Sequence, residues 1–274
     1  MKTKNMTHQA ARLILIAAVA LASCAKDDNT GIDDNGNDTN PGNTGGTPGS
    51  VLLVTESRMN GELVSRLEYN SDNQLMAIHA YSSGTQIGTT EHIYDNRGRI
   101  AKVVTEVTGQ DVLTSEEYTY NGDSDKPVSS VSTVNMQGQQ VITETSYSYS
   151  ENKMTETVVS SLPIPETQFV YTYSSNGNLL TQERYEDGTW VSTVEYGDYD
   201  DKKSPAMTGN AFEWKTPARN NHRSLKTIEP EGVTEDRIYR YTYNDAEYPV
   251  KIEVLDRGKE EVLLTLEYTY KQAN

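Results

Sequence analysis

The sequence predicts an all-β chain: an antiparallel, up-and-down meander of about sixteen strands, closed or flattened into a barrel-like wall that stands in water. Three observations predict it. Tyrosine recurs at 69, 94, 120, 149, 173, 199, 243 and 270, with spacings of 25, 26, 29, 24, 26, 44 and 27 residues. Each of these tyrosines stands at or near a polar turn, as in Leu67-Glu68-Tyr69-Asn70-Ser71-Asp72-Asn73-Gln74-Leu75 and Ile93-Tyr94-Asp95-Asn96-Arg97-Gly98-Arg99-Ile100. Between them lies a second turn signal, such as Thr108-Gly109, Glu186-Asp187-Gly188 or Asp256-Arg257-Gly258. Two turns per repeat leave two strands, a hairpin, and no segment after residue 24 reads as a helix.

The first element is a leader. Lys2, Lys4 and Arg12 precede an apolar run from Leu13 to Ala22, which ends in Leu21-Ala22-Ser23-Cys24. That run is about ten residues, half of the roughly twenty that span a bilayer. A basic start, a short apolar core and small residues before the cut make a secretory signal, 1–23. Cys24 is the single cysteine of the chain. The run resembles a bacterial lipoprotein signal, in which the peptidase cuts before the cysteine and lipid is attached to it. Acylation also disposes of a lone thiol in an oxidising compartment. It leaves no disulfide and no cysteine metal site, so stability rests on packing.

Residues 25–50 follow as AKDDNTGIDDNGNDTNPGNTGGTPGS. Almost nothing there is apolar, so ordering it would gain no burial; it reads as a disordered tether from Cys24. Its Asp/Asn/Gly density lacks the fixed spacing of a calcium loop. The sequence predicts no metal and no cofactor.

Residues 51–274 form the repeat domain. Its strands alternate: Val141, Thr143, Thr145, Tyr147 and Tyr149 lie on one face, and Ile142, Glu144, Ser146 and Ser148 on the other. Period two in Val, Thr and Tyr is strand chemistry. One face is half-buried and rich in tyrosine. The anchor tyrosines are expected to stack across strands as structural residues, with their hydroxyls reaching solvent at the rim. The glutamates before them, Glu68, Glu117, Glu195 and Glu267, form an outward column of charge.

An open sheet of sixteen strands leaves two reactive edges, and pairing the first strand with the last removes them. A round barrel of that size is roughly 30 Å across, too wide for tyrosines to fill. It must flatten, hold a plug or keep a wet lumen. The long interval holds the natural plug, an insertion at about 202–222, KKSPAMTGNAFEWKTPARNNH. Phe212 and Trp214 fall two apart, as on one strand face. These two and Trp190 are the candidate ligand contacts. A membrane-spanning barrel would turn its apolar face outward; a mean hydropathy of −0.69 argues against it, as do Glu116 and Glu183 on tyrosine-bearing faces.

The formal charge is −16. Removing the signal takes away its three cations, and the tether holds Lys26 against five aspartates, so 51–274 keeps −15. Such a surface repels nucleic acid. No nucleophile elbow, zincin, dinucleotide or phosphate-loop motif occurs. His79, His92 and His222 are scattered without ligand spacing, and no catalytic residue is assigned.

The strand-Tyr-Asp/Asn-x-x-Gly-x-Leu/Ile repeats resemble YD repeats, related to RHS-type shells. The closer likeness is to Gram-negative gut lipoproteins carrying a domain of unknown function described as porin-like. Tyr199-Asp200-Asp201-Lys202-Lys203-Ser204-Pro205 is similar to that family's signature turn, and Asn220-Asn221 and Tyr241-Thr242-Tyr243-Asn244-Asp245-Ala246-Glu247-Tyr248-Pro249 resemble its later segments. Relatives tend to carry an aromatic where this chain has Ala206. The likeness implies an all-β, barrel-like (porin-like) fold over about 51–274 and no catalytic residues. Lys26-Asp27-Asp28 resembles the acidic flank that sends lipoproteins to the cell surface. The expectation is a lipid-anchored outer-membrane protein exposed on the cell surface. It would be a non-enzymatic module whose partner is a glycan, peptide or protein. The alternative is a structural or accessory subunit of an outer-membrane complex; an enzyme ranks third.

Overall fold

The computed structural model describes residues 50–274, save 111, 137, 206–211, 213, 216–218 and 260. The leader, Cys24 and nearly all of the tether lie outside the described residues, as does Ala206. The described residues hold sixteen strands and no helix. The first eight are β1 (Leu52–Met59), β2 (Glu62–Tyr69), β3 (Leu75–Ser82), β4 (Thr85–Tyr94), β5 (Ile100–Val107), β6 (Val112–Tyr120), β7 (Pro127–Met136) and β8 (Gln139–Ser150). Then come β9 (Lys153–Ser160), β10 (Thr167–Tyr173), β11 (Leu179–Glu186), β12 (Thr189–Gly197), β13 (Ser224–Glu229), β14 (Gly232–Tyr243), β15 (Pro249–Asp256) and β16 (Val262–Gln272).

Every strand pairs antiparallel with its sequence neighbours, and β1 pairs with β16 from Leu52↔Gln272 to Met59↔Leu266. The sheet is therefore a closed barrel in meander order. Closure gives every strand two partners and leaves no edge. Three far-end hairpins, Asn60-Gly61, Ser83-Gly84 and Asp187-Gly188, have positive φ at both loop residues. That is the type I′ geometry whose twist matches the strands.

The opposite end is built from one repeated device. In the turn after Tyr69, Asn70 Oδ1 accepts the amides of Asp72 (3.0 Å) and Gln74 (2.9 Å), and the Asn70 amide donates to the Gln74 carbonyl (3.0 Å). Asp95 accepts likewise from Arg97 (2.9 Å) and Arg99 (3.0 Å), and Asn244 from Ala246 (3.1 Å) and Tyr248 (3.0 Å). A short side-chain acceptor thus replaces a backbone partner and fixes the turn. Past five of the turns at this end the register skips one residue: Met76, Ala101, Val128, Leu180 and Val250. These bulges bend and twist the strand, as closure requires.

Five of the anchor tyrosines are tied back one strand. Tyr94 donates its hydroxyl to the carbonyl of Leu75 (2.8 Å), Tyr120 to Ile100 (2.7 Å), Tyr149 to Pro127 (2.9 Å) and Tyr270 to Pro249 (2.7 Å). Tyr199 donates to Leu179 in the same way. Each acceptor is the first residue of the preceding strand. This corrects the expectation that these hydroxyls reach solvent. The strand-opening carbonyl lies beside a bulge and has room for a side-chain donor. Tyr69 packs against the core, with the Lys271 amine 5.3 Å from its ring centre.

The densest core sits at the seam. Leu52, Val54, Leu67, Leu75, Ala246, Tyr248, Ile252, Tyr268 and Tyr270 form one buried cluster, drawn from β1–β3, β15, β16 and the β14–β15 turn. Glu68 and Glu117 face outward, against His79 (3.1 Å) and Lys102 (2.7 Å). Replacing Tyr270 by Phe removes the buried hydrogen bond to the Pro249 carbonyl and keeps the ring. It should lower unfolding stability by about 1–2 kcal/mol, against about 3–5 for Tyr270→Ala. Urea titration checks this; a Phe variant as stable as the parent would deny the phenol its tethering role.

Candidate functional site: a plugged lumen and an outer wall

The insertion between β12 and β13 grows out of one of the repeated turns. The Asp200 amide donates to the Asn221 carbonyl (3.0 Å), the Asn221 amide to Asp200 Oδ1 (3.1 Å), and the Lys202 amide to Asp200 Oδ1 (3.0 Å). These are the bonds of the Asn70 turn, with Asn221 in the place of Gln74. The extra residues are spliced in without breaking the cap. Asn221 is buried, and its side-chain amide donates to the Lys203 carbonyl (3.1 Å). Asn220 is locked to Asn178 by two bonds of 3.1 Å. The Tyr243 hydroxyl, displaced from the usual carbonyl, donates to Asp200, while Tyr241 donates to the His222 carbonyl (2.6 Å).

Phe212, Trp214 and Lys215 enter the lumen. The Trp214 ring meets Tyr147 edge-on at 4.8 Å and Tyr118 at 6.1 Å; Phe212 meets His92 at 5.9 Å and Tyr118 at 6.1 Å. Such pairs contribute about 0.5–1.5 kcal/mol beyond area burial. Phe212 and Trp214 lie in turn, not on a strand as their spacing suggests. Lys215 Nζ grips Glu156 of β9 at 2.7 Å and 2.9 Å, Tyr171 donates to the same carboxylate (3.0 Å), and Tyr173 donates to the Lys215 carbonyl (2.6 Å). Beside this knot, Ser130 donates to Glu116 (2.6 Å) and lies 2.9 Å from the Tyr147 hydroxyl. Glu116 and Glu156 are thus held by hydrogen bonds within the protein. Among the described residues no group of three or more His, Asp and Glu could hold a metal.

Burial sets the protonation states here. It pushes the Tyr118, Tyr147 and Tyr171 phenols up, with the nearby carboxylates adding to the effect. It pushes His92 and His222 down to about 4. His222 sits in a ring of tyrosines, 4.6 Å from Tyr239, 5.2 Å from Tyr196 and 6.2 Å from Tyr199.

Trp190 lies elsewhere. It is on the outer wall, half-buried, with its indole N–H donated to Thr193 Oγ1 (2.9 Å). The structure therefore brings Phe212 and Trp214 together and separates Trp190 from them. Sequence reading missed Glu156 and Lys215 as partners. The signal was present: Glu156 shares its strand face with Met154, the most buried residue of β9.

No protein-family model matches the chain, and no curated protein does. Among solved structures it is similar to a porin-like protein from Bacteroides vulgatus ATCC 8482, at 15% identity and a TM-score of 0.53, covering 81% of this chain and 99% of that one. A porin-like protein from Bacteroides uniformis ATCC 8492 matches at 16% identity and a TM-score of 0.49, over 80% of this chain and 98% of that one. The first likeness establishes a porin-like barrel fold.

The histidine shifts fix a pH window. Unfolded histidine titrates near 6.5 and these two near 4, so the unfolded chain binds more protons in between. Stability should rise with pH from about 4 to 6.5, by on the order of 2–3 kcal/mol for each histidine. Thermal melts across that range test this. A His92→Gln, His222→Gln protein that keeps the full slope would show that other groups cause it.

Proposed function

We propose that this chain is a lipid-anchored cell-surface barrel acting as a non-enzymatic binding module and not as a conduit. The observation that carries the reading is the filled lumen: Trp214 packed on Tyr147, and Lys215 clamped to Glu156 and Tyr173. A pore cannot run through that half of the barrel while the clamp holds. The outer wall supports the same reading. It carries ion pairs such as Glu56–Arg66 (3.0 Å), Lys102–Glu117 (2.7 Å) and Asp236–Arg257 (2.6 Å) around its circumference. A charge on a lipid face costs up to about 2–4 kcal/mol, so this wall is suited to water. No helix of the described residues is long and apolar enough to cross a membrane, which says nothing of strands. Attachment then falls to the lipid on Cys24, and recognition of a glycan, peptide or protein to the outer wall and the loop ends.

Three measurements test this. Cells fed labelled palmitate should label the parent chain and not Cys24→Ala, and protease added outside intact cells should digest only the anchored form. Purified barrel in planar bilayers should pass no current. Steady single-channel conductance would overturn the module reading, and palmitate on the Ala variant would overturn the anchor.

A further inference from the structure

We propose that the outer face of β11–β14 is a binding site for a neutral pyranose oligosaccharide. This deepens the module reading above and rests on it. Two features on one face carry it.

The first is an aromatic platform. Tyr185 and Trp190 are register partners across the β11–β12 hairpin, both half-buried. Among the described residues neither ring packs on another aromatic or under a cation. The indole N–H is consumed by Thr193, which fixes the ring and leaves its surface as the group on offer. Lumenal rings elsewhere in the barrel are paired with one another; this pair stands outside, where it fills no core.

The second is a groove of about 580 Å³ farther along the same two strands. Its shape comes from small residues meeting in register: Gly197 of β12 faces Ser224 of β13, so closely that a Cβ on Gly197 would fall 2.9 Å from Ser224 Oγ. Around that floor stand Glu195, Lys226, Asp236 and Arg257. Asp236 is paired with Arg257 (2.6 Å). Lys226 has Glu195 and Asp236 as register neighbours on its two sides, yet among the described residues it makes no ion pair. Its donors remain available.

The two features lie in line. Thr181 of β11 pairs with Glu195 at the groove, Glu183 with Thr193, and Tyr185 with Trp190. From Thr181 to Tyr185 is four residues of strand, about 13 Å. That span suits linked rings, not a single small molecule. A pyranose has an apolar C–H face and a rim of hydroxyls. The face packs on aromatic rings. The hydroxyls donate to carboxylates and accept from ammonium and guanidinium groups, and the groove presents both kinds. Two acids against two bases leave the groove with no net sign, while residues 51–274 carry −15. That field disfavours a polyanion. A neutral saccharide meets every condition.

The test is titration calorimetry of the purified domain with cellohexaose, maltohexaose, mannohexaose and xylohexaose, and with heparin as the polyanion. At least one neutral hexasaccharide should bind and heparin should not. Trp190→Ala should weaken binding about tenfold or more, and Trp190→Phe much less. Lys226→Ala should weaken it several-fold, while the lumenal Trp214→Phe leaves it unchanged. Circular dichroism confirms that each variant is folded. Saccharide binding that survives Trp190→Ala with Tyr185→Ala overturns the site. Binding to none of the four overturns the ligand class. A protein partner then recovered by crosslinking in intact cells would leave the module reading standing, and recovering neither would remove both.

Discussion

A sheet of sixteen strands that closes on itself has no edge, but it has an inside. At the usual strand spacing that inside is roughly 30 Å across, more than two facing side chains can bridge. The inside must be packed or wet, and most of the unusual features of this chain are ways of packing it. At the β1–β16 seam the solution is apolar: Leu52, Val54, Leu67, Ile252, Tyr268 and Tyr270 meet directly. Farther round, the filling comes from the chain between β12 and β13 and packs on β4, β6, β8 and β9. There the insertion supplies Phe212 and Trp214 as filler and Lys215 as a fastener. The preference for tyrosine over phenylalanine, eighteen against two, has the same origin. A phenol fills lumen like a phenylalanine and can also satisfy a strand-opening carbonyl, which a bulge would otherwise leave facing the interior.

The insertion shows how such a fold gains a part without losing its frame. The Asp200 turn keeps its amide and carboxylate bonds although some twenty residues separate its ends, because Asn221 returns to the position that Gln74 or Arg99 occupies in the uninterrupted turns. The cap closes the loop locally, so the barrel register before and after it is undisturbed. His222 lies two residues before β13, and its carbonyl still receives a tyrosine hydroxyl, as those of Leu75 and Ile100 do. The burial of its ring is a consequence of that position. It faces Tyr196, Tyr199 and Tyr239 in a space that excludes water, so its neutral form is favoured.

Much of the fold was legible because the barrel is periodic. The tyrosine spacing gave the hairpin count, the alternation gave the faces, and the 44-residue interval located the insertion. What was not legible depends on which residues the closure brings together. Nothing in the run from Tyr94 back to Leu75 announces that a hydroxyl will find a carbonyl; the bulge at Met76 creates the opening. Phe212 and Trp214 share the spacing of a strand face and lie in turn. Trp190 shares with them its residue type and a place beside a turn, and neither tells inner from outer wall. Its strand partner Tyr185 sits only five residues away, and the Asp187-Gly188 turn between them was enough to place both on one face. The groove could not be read at all: its floor is Gly197 against Ser224, residues brought together across the insertion.

The positions of the ends bear on how the outer wall is presented. Ser50, the first described residue, sits at the end that carries the insertion, where Lys203 Nζ donates to its carbonyl (3.2 Å). The chain therefore arrives from its N-terminal segment at the plugged end. The Asp187-Gly188 hairpin, with Tyr185 and Trp190 beside it, belongs to the other end. The described chain thus begins at the plugged end, and the aromatic pair lies at the far one. The groove between them runs along the strands. In this arrangement the plug has no need to move for the wall to work. Its aromatic packing on His92, Tyr118 and Tyr147 and its Lys215–Glu156 clamp brace β4, β6, β8 and β9 from inside.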